Sequence, residues 1–290
     1  MNEIGKEVPL LRFCLILVFG SLSCSHLPPN AESQISFVAF GDAGFGNENQ
    51  KTLALGVSSF CQKEHCDFVA LLGDNFYPSG VKSTSDPKWQ SHFEEPFSQI
   101  DLPFYAVLGN HDYGGSIESQ IDYTAKSTKW KMPQRYYSFI RGPVEFFAID
   151  TQNVDLKQSQ WLDEKLKASS SQWKCVYGHH PIFSYGTHGD STQLKTLLLP
   201  ILRNRADFYL TGHDHDLQYL VDKGRPHFIV SGATGHPRES KKGPRSVYAS
   251  HRIGFAHFQF TQNKAVVRFV ESTGKEVFEK IVQASCNTTP

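Results

Sequence analysis

Phe68-Val69-Ala70-Leu71-Leu72-Gly73-Asp74-Asn75-Phe76-Tyr77 is the stretch that decides the fold. Its first five residues are apolar without a break, which suits a strand buried on both faces. The run stops at Gly73-Asp74, so a carboxylate sits at the strand's carboxyl end. Ligands of open α/β sheets bind at that end. A single Gly-Asp pair marks only a turn. Here the pattern recurs: apolar runs also end in Gly41-Asp42, Gly109-Asn110-His111-Asp112, Gly178-His179-His180 and Gly212-His213-Asp214-His215. The strand ends thus deliver Asp42, Asp74, Asn110, His179 and the pair His213 and His215. These are oxygen and nitrogen metal ligands, too many for one ion and suited to two.

Outward from this stretch the chain alternates strands and helices. Strands are expected at residues 36–40, 68–72 and 104–108, with helices at 47–64 and 88–100 between them. Short β-α-β-α-β links imply a parallel sheet with right-handed crossovers. Residues 113–133 read as a loop with a short helix near 117–123. A hairpin follows (135–141 and 144–150, turning at Gly142-Pro143), then a helix at 155–168 with Leu156, Trp161, Leu162 and Leu166 at helical spacing. A strand at 173–177, a helix at 191–204 and a strand at 207–210 lead to strands at 227–231, 255–261, 264–271 and 276–282. The expected fold class is α/β, a four-layer α/β/β/α sandwich of two mixed sheets flanked by helices.

The chain has 290 residues, with 29 Lys+Arg balancing 29 Asp+Glu, so bulk charge indicates neither nucleic acid nor an acidic partner. Lys6 and Arg12 precede an apolar run, 13–22, that is short for a membrane span and fits a signal peptide. The expected organisation is a signal at 1–24, a linker at 25–34, one catalytic domain at 35–284 and a tail at 285–290. Cys24 ends the signal region, so a lipid-anchored lipoprotein, simple secretion and an uncleaved anchor all stay open. The protein is expected to be exported, whether periplasmic, lipid-anchored through Cys24 or secreted, and to be a monomer. Cys61 and Cys66 are close enough in sequence to pair in an oxidising compartment, while Cys175 in an apolar strand is expected only to pack.

The five motifs, in order, resemble those of the metallophosphoesterases, the calcineurin-like superfamily. The general family opens with Asp-x-His, whereas this chain has Asp42-Ala43-Gly44. It has instead Gly73-Asp74-Asn75-Phe76-Tyr77, which is similar to the purple acid phosphatases, where a tyrosinate replaces the missing histidine on a ferric ion. The stretches Trp130 to Tyr137 and His213 to Leu220 look most like the small, single-domain tartrate-resistant branch, and the resemblance runs from about Phe37 to the end. A hard trivalent cation favours phenolate over phenol, so the physical argument agrees.

The resemblance implies Fe(III) held by Asp42, Tyr77 and His215, and a divalent ion (Fe, Zn or Mn) held by Asn110, His179 and His213, with Asp74 shared. His111 and His188 match histidines that contact the phosphate or protonate the leaving group. The implied function is an acid phosphatase that hydrolyses phosphate monoesters by attack of a metal-activated hydroxide, with no nucleic-acid partner. A Mn or Zn phosphodiesterase or nucleotidase, and a metal- or phosphate-binding lipoprotein without turnover, are the rivals. His180 is expected to pack, Asp112 and Asp214 to cap turns or orient rings, and His236 and His251 to lie at the surface. The basic stretch 238–252 reads either as an anion-steering or as a solvated loop. The animal enzymes carry a long exposed loop after the strand ending near Asp150. Here residues 151–155 are short, so activation by cleavage there is not expected.

Overall fold

A strand apolar on both faces must be covered on both, and the computed structural model, which describes Met1 and residues 34–285, covers it on one side with a second sheet. In chain order the elements are β1 (Ile35–Phe40), α1 (Glu48–Glu64), β2 (Phe68–Leu71), β3 (Phe104–Ala106), α2 (Ile117–Tyr123), β4 (Trp130–Lys131), β5 (Tyr137–Arg141) and β6 (Val144–Ala148). They continue as α3 (Leu156–Ala168), β7 (Trp173–Tyr177), α4 (Thr192–Leu197), α5 (Leu199–Leu202), β8 (Phe208–Thr211), β9 (Leu217–Val221), β10 (His227–Ser231), β11 (Ser246–Ser250), β12 (Gly254–Phe260), β13 (Lys264–Glu271) and β14 (Glu276–Gln283).

Two mixed seven-stranded sheets result, ordered β14-β13-β12-β1-β2-β3-β4 and β11-β9-β10-β8-β7-β6-β5. In the first, β1, β2 and β3 are parallel; in the second, β6, β7 and β8 are. The inner core is aromatic. Phe37 on β1 stacks on Phe68 of β2 at 4.6 Å, and Phe146 of the facing sheet meets both edge-on at 5.2 Å. Such edge-to-face pairs add to area burial and fix the two sheets in register. A second core joins the outer face of the second sheet to α3, α4 and α5 through Phe147, Val176, Leu162, Leu166 and Leu202. On the opposite side Phe60 of α1 packs on Phe255 of β12. The four expected layers are present.

Local chemistry starts and stops the helices. Asn47 and Asp155 cap α1 and α3 by accepting from the N–H groups of Gln50 and Gln158, at 3.0 and 2.7 Å. Cys61 and Cys66 are disulfide-bonded across the end of α1, and Cys175 is buried and free. Cys14, Cys24, Cys286, the signal and most of the linker lie outside the described residues.

The structure departs from expectation at five places. The helix expected at 88–100 is a π-helical stretch, Trp89–Glu94, followed by turns. Its buried Trp89, Phe93, Phe97 and Ile100 recur at a spacing that does not tell a wide turn from an α turn. The helix expected at 191–204 is two short ones, α4 and α5, because Pro200 lacks the N–H that a continuous helix would use. Residues 130–131 form β4 inside the expected loop. Strands β9 and β11 were not expected at all.

Candidate metal centre

The parallel strands of both sheets bring their carboxyl ends to one place. Gly73 leaves β2 with φ of 87°, and Asp74 follows at 52°; Asp42 after β1 and His213 after β8 sit at 57° and 67°. Residues with a Cβ avoid this region at a cost of order 1 kcal/mol, and those that occupy it cluster at functional sites. A Cβ at Gly73 would lie 2.8 Å from Cβ of His179, and one at Gly109 would lie 2.2 Å from Oδ1 of Asp74. These two glycines leave the room that the neighbouring side chains fill.

All the residues nominated from the sequence meet there. The Tyr77 hydroxyl donates to Asp74 Oδ2 at 2.8 Å, and it lies 3.2 Å from Asp42 Oδ1 and 3.3 Å from His215 Nε2. His179 Nε2 lies 3.4 Å from Asp74 Oδ2, 3.2 Å from Asn110 Oδ1 and 3.2 Å from His213 Nδ1. Donor atoms of Asp42, Asp74 and His179 all fall within 4.8 Å of one another, a group that could hold a metal ion. His111 sits at the rim, with Nδ1 2.7 Å from the Pro78 carbonyl and Nε2 4.0 Å from Asp74 Oδ2. His188 stacks its ring on that of His213 at 4.2 Å.

Backbone carbonyls orient the rings. His179 Nδ1 donates to Leu72 O at 2.8 Å, and His215 Nδ1 donates to His236 O at 2.8 Å. Each therefore presents Nε2 to the cluster, the arrangement by which hydrogen-bonded imidazoles bind metals. Asp112 accepts from the N–H groups of Gly109 and Asn75, at 2.8 and 3.1 Å, and Asp214 accepts from the His188 N–H at 2.8 Å. Both cap the turns that carry site residues, as expected.

The electrostatics test whether a cation fits. Burial, assisted by the charge of Asp74, pushes the Asp42 carboxyl well above its ordinary range. Burial acts the same way on Asp74, but His179 outweighs it and holds Asp74 well below that range. Burial would lower His179, yet Asp74 and Asp42 raise it to about 9. Burial and the two carboxylates keep the Tyr77 phenol protonated, and burial lowers His215 to about 4. Carboxylate, amide and imidazole acceptors thus face one another across one buried space. They need positive charge among them, which the His179 proton supplies in the metal-free protein and which cations would supply better. The donor set fits a pair of hard or borderline metal ions.

Other site residues were not legible. His180, expected only to pack, is half-buried with its ring 4.4 Å from that of His213, and it forms with His179 and His213 a second group that could hold a metal. Its adjacency to His179 was the available signal. Phe45 stacks on Tyr77 at 3.7 Å, and Arg238 lies 3.2 Å from His188 Nε2. Phe45 lies in no motif, and Arg238 only begins the basic stretch 238–252, which reads from sequence as either anion-steering or solvated. His236 and His251 are exposed, as expected, though the His236 carbonyl fixes His215.

Residues 35–217 match the model of the calcineurin-like phosphoesterases, the class that this fold and this cluster define. Over 291 residues the chain is 32% identical to tartrate-resistant acid phosphatase type 5 of Sus scrofa, covering 84% of this chain and 86% of the pig protein. It is 32% identical to purple acid phosphatase 7 of Arabidopsis thaliana, covering 92% and 93%. Within the calcineurin-like phosphoesterases the chain belongs to the purple acid phosphatases, a family of metal-dependent phosphoric monoester hydrolases. Among solved structures, GAP50, the anchor in the inner membrane complex of Plasmodium, superposes with a TM-score of 0.81 at 26% identity over 89% of this chain and 91% of that one.

Proposed function

We propose that the protein is an exported acid phosphatase that hydrolyses phosphate monoesters at a dinuclear centre of Fe(III) and a divalent ion (Fe, Zn or Mn). The observation that carries this is the Tyr77 hydroxyl, within 2.8–3.3 Å of Asp74, Asp42 and His215. A phenol there is an unusual ligand for zinc or manganese and a strong one, as phenolate, for a trivalent ion. Asp42, Tyr77 and His215 would hold the iron, Asn110, His179 and His213 the divalent ion, and Asp74 would bridge. When bound, the two cations supply the charge that clamps a phosphoryl group and ionises water.

The chain's own groups do the rest. His111 donates Nδ1–H to Pro78 O, so it is the doubly protonated ring whose Nε2–H would hold a phosphate oxygen or protonate the departing alkoxide, worth about 10²–10⁴-fold. A guanidinium only donates, so His188 Nε2 accepts from Arg238 and Nδ1 carries the proton. Export rests on the apolar run at 13–22 behind Lys6 and Arg12. Among the described residues no helix is long and apolar enough to cross a membrane.

Metal analysis and a visible spectrum of the oxidised protein test this reading together. A broad purple band with about two metals per chain, iron included, is expected. A protein that stays colourless after iron reconstitution would instead be a Mn or Zn phosphoesterase, with Tyr77 structural. The likeness to GAP50 carries a second reading, an anchoring role; a chain that only anchors would leave an aryl phosphate uncut. Hydrolysis of an aryl phosphate decides against it.

A further inference from the structure

We propose that Arg238 builds an anion subsite beside the phosphoryl position, so that the enzyme prefers phosphoryl substrates bearing a second negative group. This rests on the phosphatase reading above and specifies its substrate class. Arg238 is held in place by its backbone, whose N–H donates to the His215 carbonyl at 2.8 Å, two residues beyond the carbonyl that orients the same ring. Its Nη1 reaches His188 Nε2 at 3.2 Å, and the His188 ring stacks on His213 at 4.2 Å. The guanidinium is therefore one imidazole away from the cluster.

Among the described residues its charge is unmatched. Arg135, Arg203, Arg205, Arg225, Arg245, Arg252 and Arg268 all carry ion pairs, and Arg141 bonds the Tyr105 hydroxyl. Arg238 has no carboxylate partner there. Arg245, in the same loop, is tied to Asp222 and Asp190 and serves the scaffold. The contrast separates the two arginines by role. The loop is also fixed: Lys241 N–H donates to Tyr185 O at 3.0 Å, and the Tyr185 ring packs under Gly243, so the His188 loop and the Arg238 loop form one wall. A half-exposed guanidinium on a fixed wall, with four of its five N–H donors free of His188, suits bidentate contact with two oxygens of a second phosphate.

Inorganic pyrophosphate is the simplest probe. In its hydrolysis the bond from one phosphorus to the bridging oxygen breaks and the water oxygen forms the new bond. The bridging oxygen leaves with the second phosphate, and each product takes one of the water's protons. In Arg238→Ala the ratio of kcat/KM for pyrophosphate to that for 4-nitrophenyl phosphate is expected to fall about tenfold, chiefly through KM, and in Arg238→Lys to recover to within about threefold. Calorimetric affinity for imidodiphosphate relative to orthophosphate is expected to fall with it. An unchanged ratio, with either both substrates or neither affected, would overturn the subsite. If the metal-loaded wild type hydrolyses neither substrate, the phosphatase reading fails separately. Calorimetry then still decides: loss of preferential imidodiphosphate binding in Arg238→Ala supports the subsite, and equal binding removes it.

Discussion

Asp74 and His111 stand 4.0 Å apart yet have different tasks, and substitution separates them. Asp74 is buried and faces Tyr77, His179 and His111 at once. Asp74→Ala removes the one carboxylate common to both proposed ion sites, so metal content is expected to fall to near zero with activity. The His111 side chain is half-exposed, and its ring hydrogen-bonds only Pro78 O. His111→Ala is expected to keep about two metals per chain and lose about 10²-fold in kcat. Metal loss in that variant would place His111 among the ligands. At this scale the sequence was most informative, because each strand-end motif names a donor atom type and the chemistry follows from the type. It was least informative for His180 and Arg238, whose neighbours come from other segments.

At the scale of elements, α1 shows how a local covalent link supports the frame. His65 takes a left-handed turn at φ of 55°, its N–H bonds Cys61 O at 2.9 Å, and the disulfide closes the same turn. Closing so short a loop limits the unfolded chain by roughly 2 kcal/mol. Cys66→Ser is therefore expected to lower the unfolding free energy by that amount, as chemical denaturation would measure; a smaller effect would mean that Asn47 capping and burial already suffice. Elements with strong periodicity, such as β1, α1 and α3, were readable. Strand β11 was not: Ser246–Ser250 is partly exposed at a sheet edge and has no apolar alternation to read. The π-helical stretch was not either, since its aromatics repeat at nearly the α spacing.

At the scale of the whole molecule, acid stability is a joint property of both sheets' buried histidines. His257 on β12 lies 3.0 Å from Ser36 Oγ and next to Arg268, and burial reinforced by Arg268 lowers it to about 3. Burial likewise lowers His227 on β10 to about 4. Below the ordinary value near 6.5 the unfolded chain takes up protons that the native protein refuses. Stability from these groups is therefore complete above about 6.5 and is lost as pH falls toward 3. For His257 the loss is about 2 kcal/mol at pH 5. His257→Gln is expected to flatten the decline of unfolding free energy between pH 7 and 5; an equally steep decline would put its origin elsewhere.

The sequence by itself determined the donor atoms and the α/β order, because these are local: strand ends, turn glycines and residue types are written in contiguous stretches. Only the tertiary structure decided which atoms face one another. Two sheets packed through Phe37, Phe68 and Phe146 bring strand ends from residues 42 to 215 within hydrogen-bonding distance. Among the described residues the same packing leaves Arg238 without a carboxylate partner at the rim while Arg245 is paired. Charge balance at a site sums over segments distant in sequence, so no single stretch contains it.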